Sequence, residues 1–600
     1  MESLFDSKRK TLIAAIALNL VIFAVLVLLG DVRYESNDDF SISNQLADGW
    51  YYVSFVNYYL CAFVGWLDSI FTSVNCFILL QVVISFVTLV TITYIVFDSK
   101  KGMVLNALYI TILGFISIDQ YLSIQFTKTA ALMLICGFLM MFHGFVISKS
   151  KSLVVFGFVW MFLGSAFRHN NLRAAVCFSI AFLGAYSLWY VIDKKWDRQE
   201  IKHMAFTACK LVVLLLVMAG LAVGANHFSK AKNLETKALQ DYREYNKYRA
   251  RVLDYPLPAY EDNVEKYQKI DFENRDVMML KDKYLDYDRI ASLDNLKYLS
   301  NMQTDTRKTL SYSEAVIHFA HYMFNSIREL RRPFFHILLL LAVTILGFVF
   351  LRKRWLVYPV LLGAACILAY IYLFHFGRTV YRAVYIIDLA GMIFLFYSLR
   401  FSEYKEKYAH SGDMGGIIGK KAAVVIAAAL ICVPLVFTVL SERHWNDLKE
   451  GVAPVDSDKM YDEIMSNKDK TYIITAETST SLFQKNFKYY KNPYLRQPVM
   501  ENYMSFGGWS TKSPYKEKKI KKNGLKNLYS DIIDNDKVVA IINLCKFDAD
   551  GKPYMMPYVQ NYFNDRYGSK DSEIRFVNTG KVGGFYLWQI KRFKVKENRS

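Results

Sequence analysis

Two adjacent carboxylates, Asp38 and Asp39, stand in a stretch that reads Asn37-Asp38-Asp39-Phe40. A carboxylate held beside a hydroxyl takes its proton as that oxygen attacks, so a fixed acidic pair is a candidate general base. Four more acids flank the pair (Asp31, Glu35, Asp48 and Asp68), against a single basic residue, Arg33. From Trp50 to Phe71 the same stretch turns aromatic, with Trp50, Tyr51, Tyr52, Phe55, Tyr58, Tyr59 and Trp66. Rings with polar edges favour the headgroup level of a bilayer. Residues 31–73 are therefore expected to fold back along a membrane surface and hold Asp38 and Asp39 over what lies beneath. The alternative is an ordinary solvated acidic loop.

A second set of candidates is mostly basic and recurs at the ends of apolar runs. Lys128 follows Gln125-Phe126-Thr127; Arg168, His169 and Arg173 close one run and open the next; His375, Arg378 and Arg382 do the same further on. Asp388 lies about a turn and a half into the run that follows. Arg grips phosphate bidentately and Lys adds a point charge, so a basic ring under an acidic loop suits an anionic headgroup. An ionisable residue inside a span is by default a functional candidate. Taken singly, each Arg could instead snorkel to lipid phosphates.

The elements that must position these residues are the apolar runs themselves. The 600 residues are 54% hydrophobic and 16% aromatic, bunched into runs of roughly 16 to 24 residues, the bilayer-crossing length. The pattern predicts eleven spans: Thr11–Gly30, Val74–Phe97, Met103–Ile118, Thr129–Ile147, Ser152–Phe167, Ala174–Ile192, Leu211–Ala225, Phe334–Leu351, Trp355–Phe374, Ala383–Leu399 and Ala422–Leu440. The first is long for a signal peptide and lacks a small-residue cleavage site, so it reads as a retained anchor. Segments on alternate sides hold twenty Lys and Arg in one set and six in the short segments of the other. The positive-inside rule then puts the N-terminus in the cytoplasm, and the acidic loop and C-terminal domain outside. In such a chain the net charge of +19 concerns membrane orientation rather than nucleic acid. Seven of the eight cysteines lie in or beside apolar runs, and the large outer pieces hold only Cys545. That fits a bacterial plasma membrane better than an animal secretory pathway.

The expected organisation is an N-terminal membrane bundle (1–225) with its acidic and aromatic outer loop (31–73), an outer helical segment (226–332), further membrane helices (333–440) and an outer α/β domain (441–600). Strand-like runs in the last piece include Tyr472-Ile473-Ile474-Thr475 and Val538-Val539-Ala540-Ile541-Ile542. Within it, Phe506-Gly507-Gly508-Trp509-Ser510-Thr511-Lys512-Ser513-Pro514 has a Gly-Gly turn able to present an indole to a sugar face; a Trp buried beside a tight turn is the other reading. The stretch Gly415 to Lys421 lacks phosphate-loop spacing. No Cys-x-x-Cys or His-Glu-x-x-His motif is present, and His169, His321, His336 and His375 read as interfacial or hydrogen-bonding residues rather than metal ligands.

The first helix, the outer loop with its Asp-Asp pair, the many-helix bundle and the outer C-terminal domain together resemble the GT-C class of membrane glycosyltransferases. Gln125 to Ala131, Gly164 to Arg168 and the Gly-Gly-Trp stretch are similar to an uncharacterised group of Gram-positive bacterial membrane proteins. The resemblance implies a lipid-linked sugar on polyprenyl phosphate as donor, and a glycan, lipid or protein acceptor at the cell surface. It places the loop-one base on Asp38 or Asp39. It supplies no motif for the donor phosphate, so Lys128, Arg168, His169, Arg173, His375, Arg378, Arg382 and Asp388 are candidates by position. No cofactor is expected, and the need for a divalent metal is left open. The main rival is a lipid or polysaccharide transporter or flippase, for which an internal repeat and polar groups near mid-membrane are expected. A catalytically inactive protein of the same fold and a surface protein anchored by its helices complete the alternatives.

Overall fold

The computed structural model describes residues 8–30, 32–98, 103–255, 257–281, 289–306, 310–328, separate positions between 336 and 351, 353–377, 380–401, 456–474, 493–496, 499–541 and 556–595. Among them, seven helices are long and apolar enough to cross a membrane, and two shorter apolar helices accompany them. Expected spans one to seven, nine and ten all meet such a helix. Phe334–Leu351 is described only in part, and Ala422–Leu440 lies outside the described residues.

The chain opens with α1 (Lys8–Leu29), followed by two helices of the first loop, α2 (Asn37–Ala47) and α3 (Tyr58–Ile70). Next come α4 (Cys76–Phe97), α5 (Met103–Tyr121), α6 (Phe126–Phe142), α7 (Lys151–Phe167) and α8 (Asn171–Asp193). The centre of the bundle is α6, buried along its whole length. By contrast, α1 turns Leu12, Ile16, Leu20, Leu28 and Leu29 outward, a surface that only an apolar surrounding stabilises.

Helices α6 and α7 approach so closely because both lack side chains at the crossing. A Cβ on Gly137 would sit 2.8 Å from Met161 and 2.9 Å from the Gly157 carbonyl, and one on Gly164 would meet the Met133 Cβ at 2.9 Å. Small residues at such contacts let backbones pack and gain dispersion where the hydrophobic effect is absent.

The seventh expected span, Leu211–Ala225, is only the middle of α9 (Arg198–Lys232), a single helix of 35 residues. Asp197 caps its start by accepting from the backbone N–H groups of Gln199 and Glu200. No Gly or Pro interrupts Asn226 to Lys232, and Lys230 and Lys232 in the last turn suit the helix C-terminus. At about 52 Å long it outruns the hydrocarbon layer.

In the first loop, α3 buries Cys61, Val64, Gly65 and Asp68 and exposes Tyr59, Phe63, Trp66 and Ile70. One apolar face turned outward and one polar-anchored face turned in is the pattern of a helix lying in a membrane interface.

After α9 come α10 (Lys237–Asp254), α11 (Val264–Gln268), α12 (Asn274–Lys281), α13 (Leu293–Thr306) and α14 (Tyr312–Arg328), and then two apolar helices, α15 (Val357–His375) and α16 (Tyr381–Ser398). The C-terminal part holds α17 (Ser457–Ser466), α18 (Pro514–Lys522) and α19 (Met556–Tyr567) around a five-stranded sheet. Its strands, after two short ones at β1 (Arg33–Tyr34) and β2 (Ser123–Ile124), are β3 (Thr471–Ile474), β4 (Tyr503–Ser505), β5 (Val538–Ile541), β6 (Ser572–Val582) and β7 (Phe585–Lys594). They lie in the order β4-β3-β5-β7-β6. The first two pairings are parallel and the last two antiparallel.

The segment 237–306 is not a separate body. Tyr245, Tyr267, Leu296 and Leu299 share one apolar core with Ile473, Phe506, Leu528 and Phe563 of the C-terminal part. Arg496 then fastens this unit to the first loop, donating to the carbonyls of Asp68 and Ala47, each at 2.9 Å.

A branched side chain at the α6–α7 crossing must force the helices apart. Gly157→Val is expected to lower the thermal unfolding midpoint in detergent by several degrees. The same change at Gly184, where a Cβ meets nothing within 4 Å, is expected to leave it nearly unchanged.

Candidate functional site

The first loop is tied to the bundle at two points, with a helix cap of its own between them. Arg33 and Tyr34 pair in parallel with Ser123 and Ile124. Ser36 caps α2 by accepting from the Asp38 N–H. Asp39, fully buried, reaches past the loop to α6: its Oδ1 accepts from the Phe126 N–H at 2.9 Å and from Gln81 Nε2 at 3.2 Å. Phe126 opens α6, so the carboxyl sits where the helix dipole and an unsatisfied N–H both favour an acceptor. Its Oδ2 is buried without a hydrogen-bond partner among the described residues. Burial and the neighbouring Asp38 and Glu35 push its pKa up to about 8, against the two hydrogen bonds.

Two residues into α6, Lys128 is wholly buried. Its Nζ lies 2.5 Å from Glu35 of the loop and 3.4 Å from Asp119 at the end of α5. Tyr381 donates to Asp119 at 3.0 Å. His336 bridges onward, 3.6 Å from Asp119 and 3.0 Å from Asp388, and Tyr370 donates to Asp388 at 2.6 Å. Gln120 joins from the side, accepting from Ser85 at 3.0 Å and donating to the Tyr385 hydroxyl at 3.1 Å. This is one continuous buried polar network, and its charges alternate in sign. Lys128 and Asp388 were expected to face a substrate; the geometry instead puts both inside the network. A phosphate would reach Lys128 only by displacing two carboxylates.

The rim differs. Asp38 is partly exposed, and its carboxylate lies 3.3 Å from Arg382, the second residue of α16. Arg168, the C-cap of α7, lies over the faces of Phe55 and Phe126, at 5.4 and 5.6 Å from the ring centroids. Arg173 is exposed. His169 is half-buried, and burial with nearby Lys230 and Arg173 lowers its pKa, so it is neutral near pH 7. His375 donates from Nδ1 to the Leu310 carbonyl at 2.6 Å and stacks on Tyr312 at 4.6 Å, which commits one ring nitrogen to the backbone. Arg378 lies outside the described residues. At the other end of the helices, Arg400 pairs with Asp98 and Arg354 with Asp193.

Sequence reasoning missed Glu35, Asp119, His336 and Tyr381 as members of one cluster. Arg249, too, is buried beside Asn246 and lies close enough to Asp38 to feel its charge. Among the described residues, no group of three or more His, Cys, Asp or Glu side chains is placed to hold a metal ion. The arrangement can hold one carboxylate, Asp38, at an exposed rim beside arginines, on a helix locked from below.

Two outcomes follow. Lys128→Met removes the cation shared by Glu35 and Asp119 and is expected to cost about 3–5 kcal/mol, as breaking a buried pair does, read by thermal or denaturant unfolding. Asp39 is protonated more readily folded than unfolded, so its contribution to stability is full below about pH 4 and is lost as pH rises through about 8. In Asp39→Asn this part of the decline is expected to vanish, as checked by unfolding midpoints across that range.

No family model matches the chain, and no curated protein matches it. Among solved structures it is similar to the Archaeoglobus fulgidus oligosaccharyltransferase, crystallised with zinc and sulfate. The identity is 11%, the match covers 97% of this chain and 73% of that one, and the TM-score is 0.39.

Proposed function

We propose that this protein is a GT-C-type membrane glycosyltransferase, moving a sugar from a polyprenyl-phosphate donor to a cell-surface acceptor on the outer face of a bacterial plasma membrane. The observation that carries this reading is the division of labour in the acidic pair. Asp39 is buried as a tether, which leaves Asp38 at the rim beside Arg382. Asp38 is the base: it takes the proton of the acceptor hydroxyl as that oxygen attacks the anomeric carbon. The bond from that carbon to the phosphate oxygen breaks, and the phosphate leaves with the electron pair. Arg382 and Arg168, with Arg173 at the edge, supply positive charge to the departing phosphate, the larger part of the assistance such a step needs. Lys128 and Asp388 hold the floor of the site without touching the donor.

A second reading, lipid or polysaccharide transport, draws on the buried chain from Lys128 to Asp388, since ionisable groups within spans also serve as relays. The two readings differ in where a lipid phosphate binds.

Purified protein in detergent is expected to retain undecaprenyl phosphate in native mass spectrometry, and Arg382→Ala and Arg168→Ala to lose most of it. Asp38→Asn is expected to keep the lipid and to lose transfer by a factor of about 10² or more. Equal lipid retention in wild type and both Arg variants, or unchanged turnover in Asp38→Asn, would count against the assignment.

A further inference from the structure

Away from the rim, a cavity of about 120 Å³ lies where α2 meets the C-terminal part. One wall is Phe40, Asn44 and Gln45 of α2; the other is the Gly508-Trp509 turn with Lys516 and Lys519. The turn depends on its glycine, because Gly508 has φ +97°, a conformation that L side chains rarely adopt. Ser513 caps α18 by accepting from the Lys516 N–H at 3.1 Å, with Pro514 at its first position. That places Lys516 in the first turn of α18, beside the cavity.

Lys516 is almost wholly buried, at 4% exposure, and its buried Nζ has no hydrogen-bond partner among the described residues. Burial pushes its pKa down to about 7. One turn on, Lys519 donates to the Met500 carbonyl at 3.0 Å. Burial also lowers its pKa, to about 8, against the pull of Asp48 and Glu501. A buried amine without a counter-charge costs stability. Lys516 lines the cavity with its Nζ buried just behind the surface, and an anion entering there would supply the missing counter-charge.

We infer that this cavity binds a small oxyanion, a phosphate monoester or a carboxylate carried by the acceptor, with Lys516 as its counter-charge. The inference rests on the transferase reading for the word acceptor, and it gives that acceptor a chemical class. The cavity is lined by α2 from Phe40 to Gln45, so it begins within a turn of Asp38 on the same helix. An acceptor anchored there by its anionic group would present a hydroxyl toward the base.

The test uses the full chain in detergent, titrated calorimetrically with glycerol 3-phosphate, with glucuronate and with glycerol. Saturable binding of at least one anion, with none for glycerol, is expected. The phosphate arm identifies a phosphorylated acceptor and the glucuronate arm an acidic sugar. Lys516→Met is expected to weaken the anion tenfold or more without lowering the ligand-free unfolding midpoint, and Lys516→Arg to keep binding. No binding of either anion to the wild type, or wild-type affinity in Lys516→Met, would overturn the inference. Undecaprenyl phosphate retention in the same samples separates the two proposals. Anion binding without the lipid counts against the transferase reading alone, and the lipid without anion binding counts against the cavity alone.

Discussion

An acidic loop stays fixed over an apolar bundle only if its charges are paired where they enter it. Here the pairing falls at the start of α6. Asp39 accepts from the first N–H of that helix, and Lys128, two residues on, pairs with Glu35 from the same loop. Each contact alone would be costly to bury. Lys128 stands between Glu35 and Asp119, so that this buried cation has two neighbours of opposite sign. Such networks hold when fully satisfied and fail when one member is missing. The position of α2, and of every residue it carries, follows from this tie.

The tie also explains why two adjacent aspartates come to differ. Successive residues on a helix point about 100° apart, so fixing Asp39 inward turns Asp38 toward the rim. One becomes a buried anchor with a raised pKa. The other stands beside Arg382, open enough to meet a substrate. The same helix lends its next turns to the cavity wall near Lys516, and Arg496 closes the far side by holding the Ala47 carbonyl. Membrane bundle, first loop and C-terminal part are therefore one mechanical unit around α2.

Much of this was legible in the chain. The apolar runs, the Lys and Arg bias and the aromatic stretch after Trp50 located the helices and the loop, because each depends on local composition. The strands near Tyr472 and Val538 were legible for the same reason. Pairings across long separations were not. Lys128 gives no sign in sequence that it meets Glu35, nor His336 that it joins Asp119 to Asp388, since such contacts arise only when helices pack. Lys128 and Asp388, expected by position to face a substrate, have these buried partners instead of open surroundings. The extent of α9 was underestimated because hydropathy falls at Asn226 while helix propensity does not. The core shared by Tyr245, Tyr267 and Leu296 with Ile473 and Phe506 was hidden because an amphipathic helix shows that it has an apolar face, not what covers it.

On the proposed function, a lipid phosphate binds at the rim beneath α2 and not within the buried network. A cryo-electron microscopy structure of the protein with undecaprenyl phosphate tests it most directly. Headgroup density is expected against Arg382 and Arg168, facing Asp38, with the Lys128–Glu35 and Lys128–Asp119 pairs intact. Density among Lys128, Asp119 and His336, with Glu35 displaced, would contradict it and favour a path through the bundle.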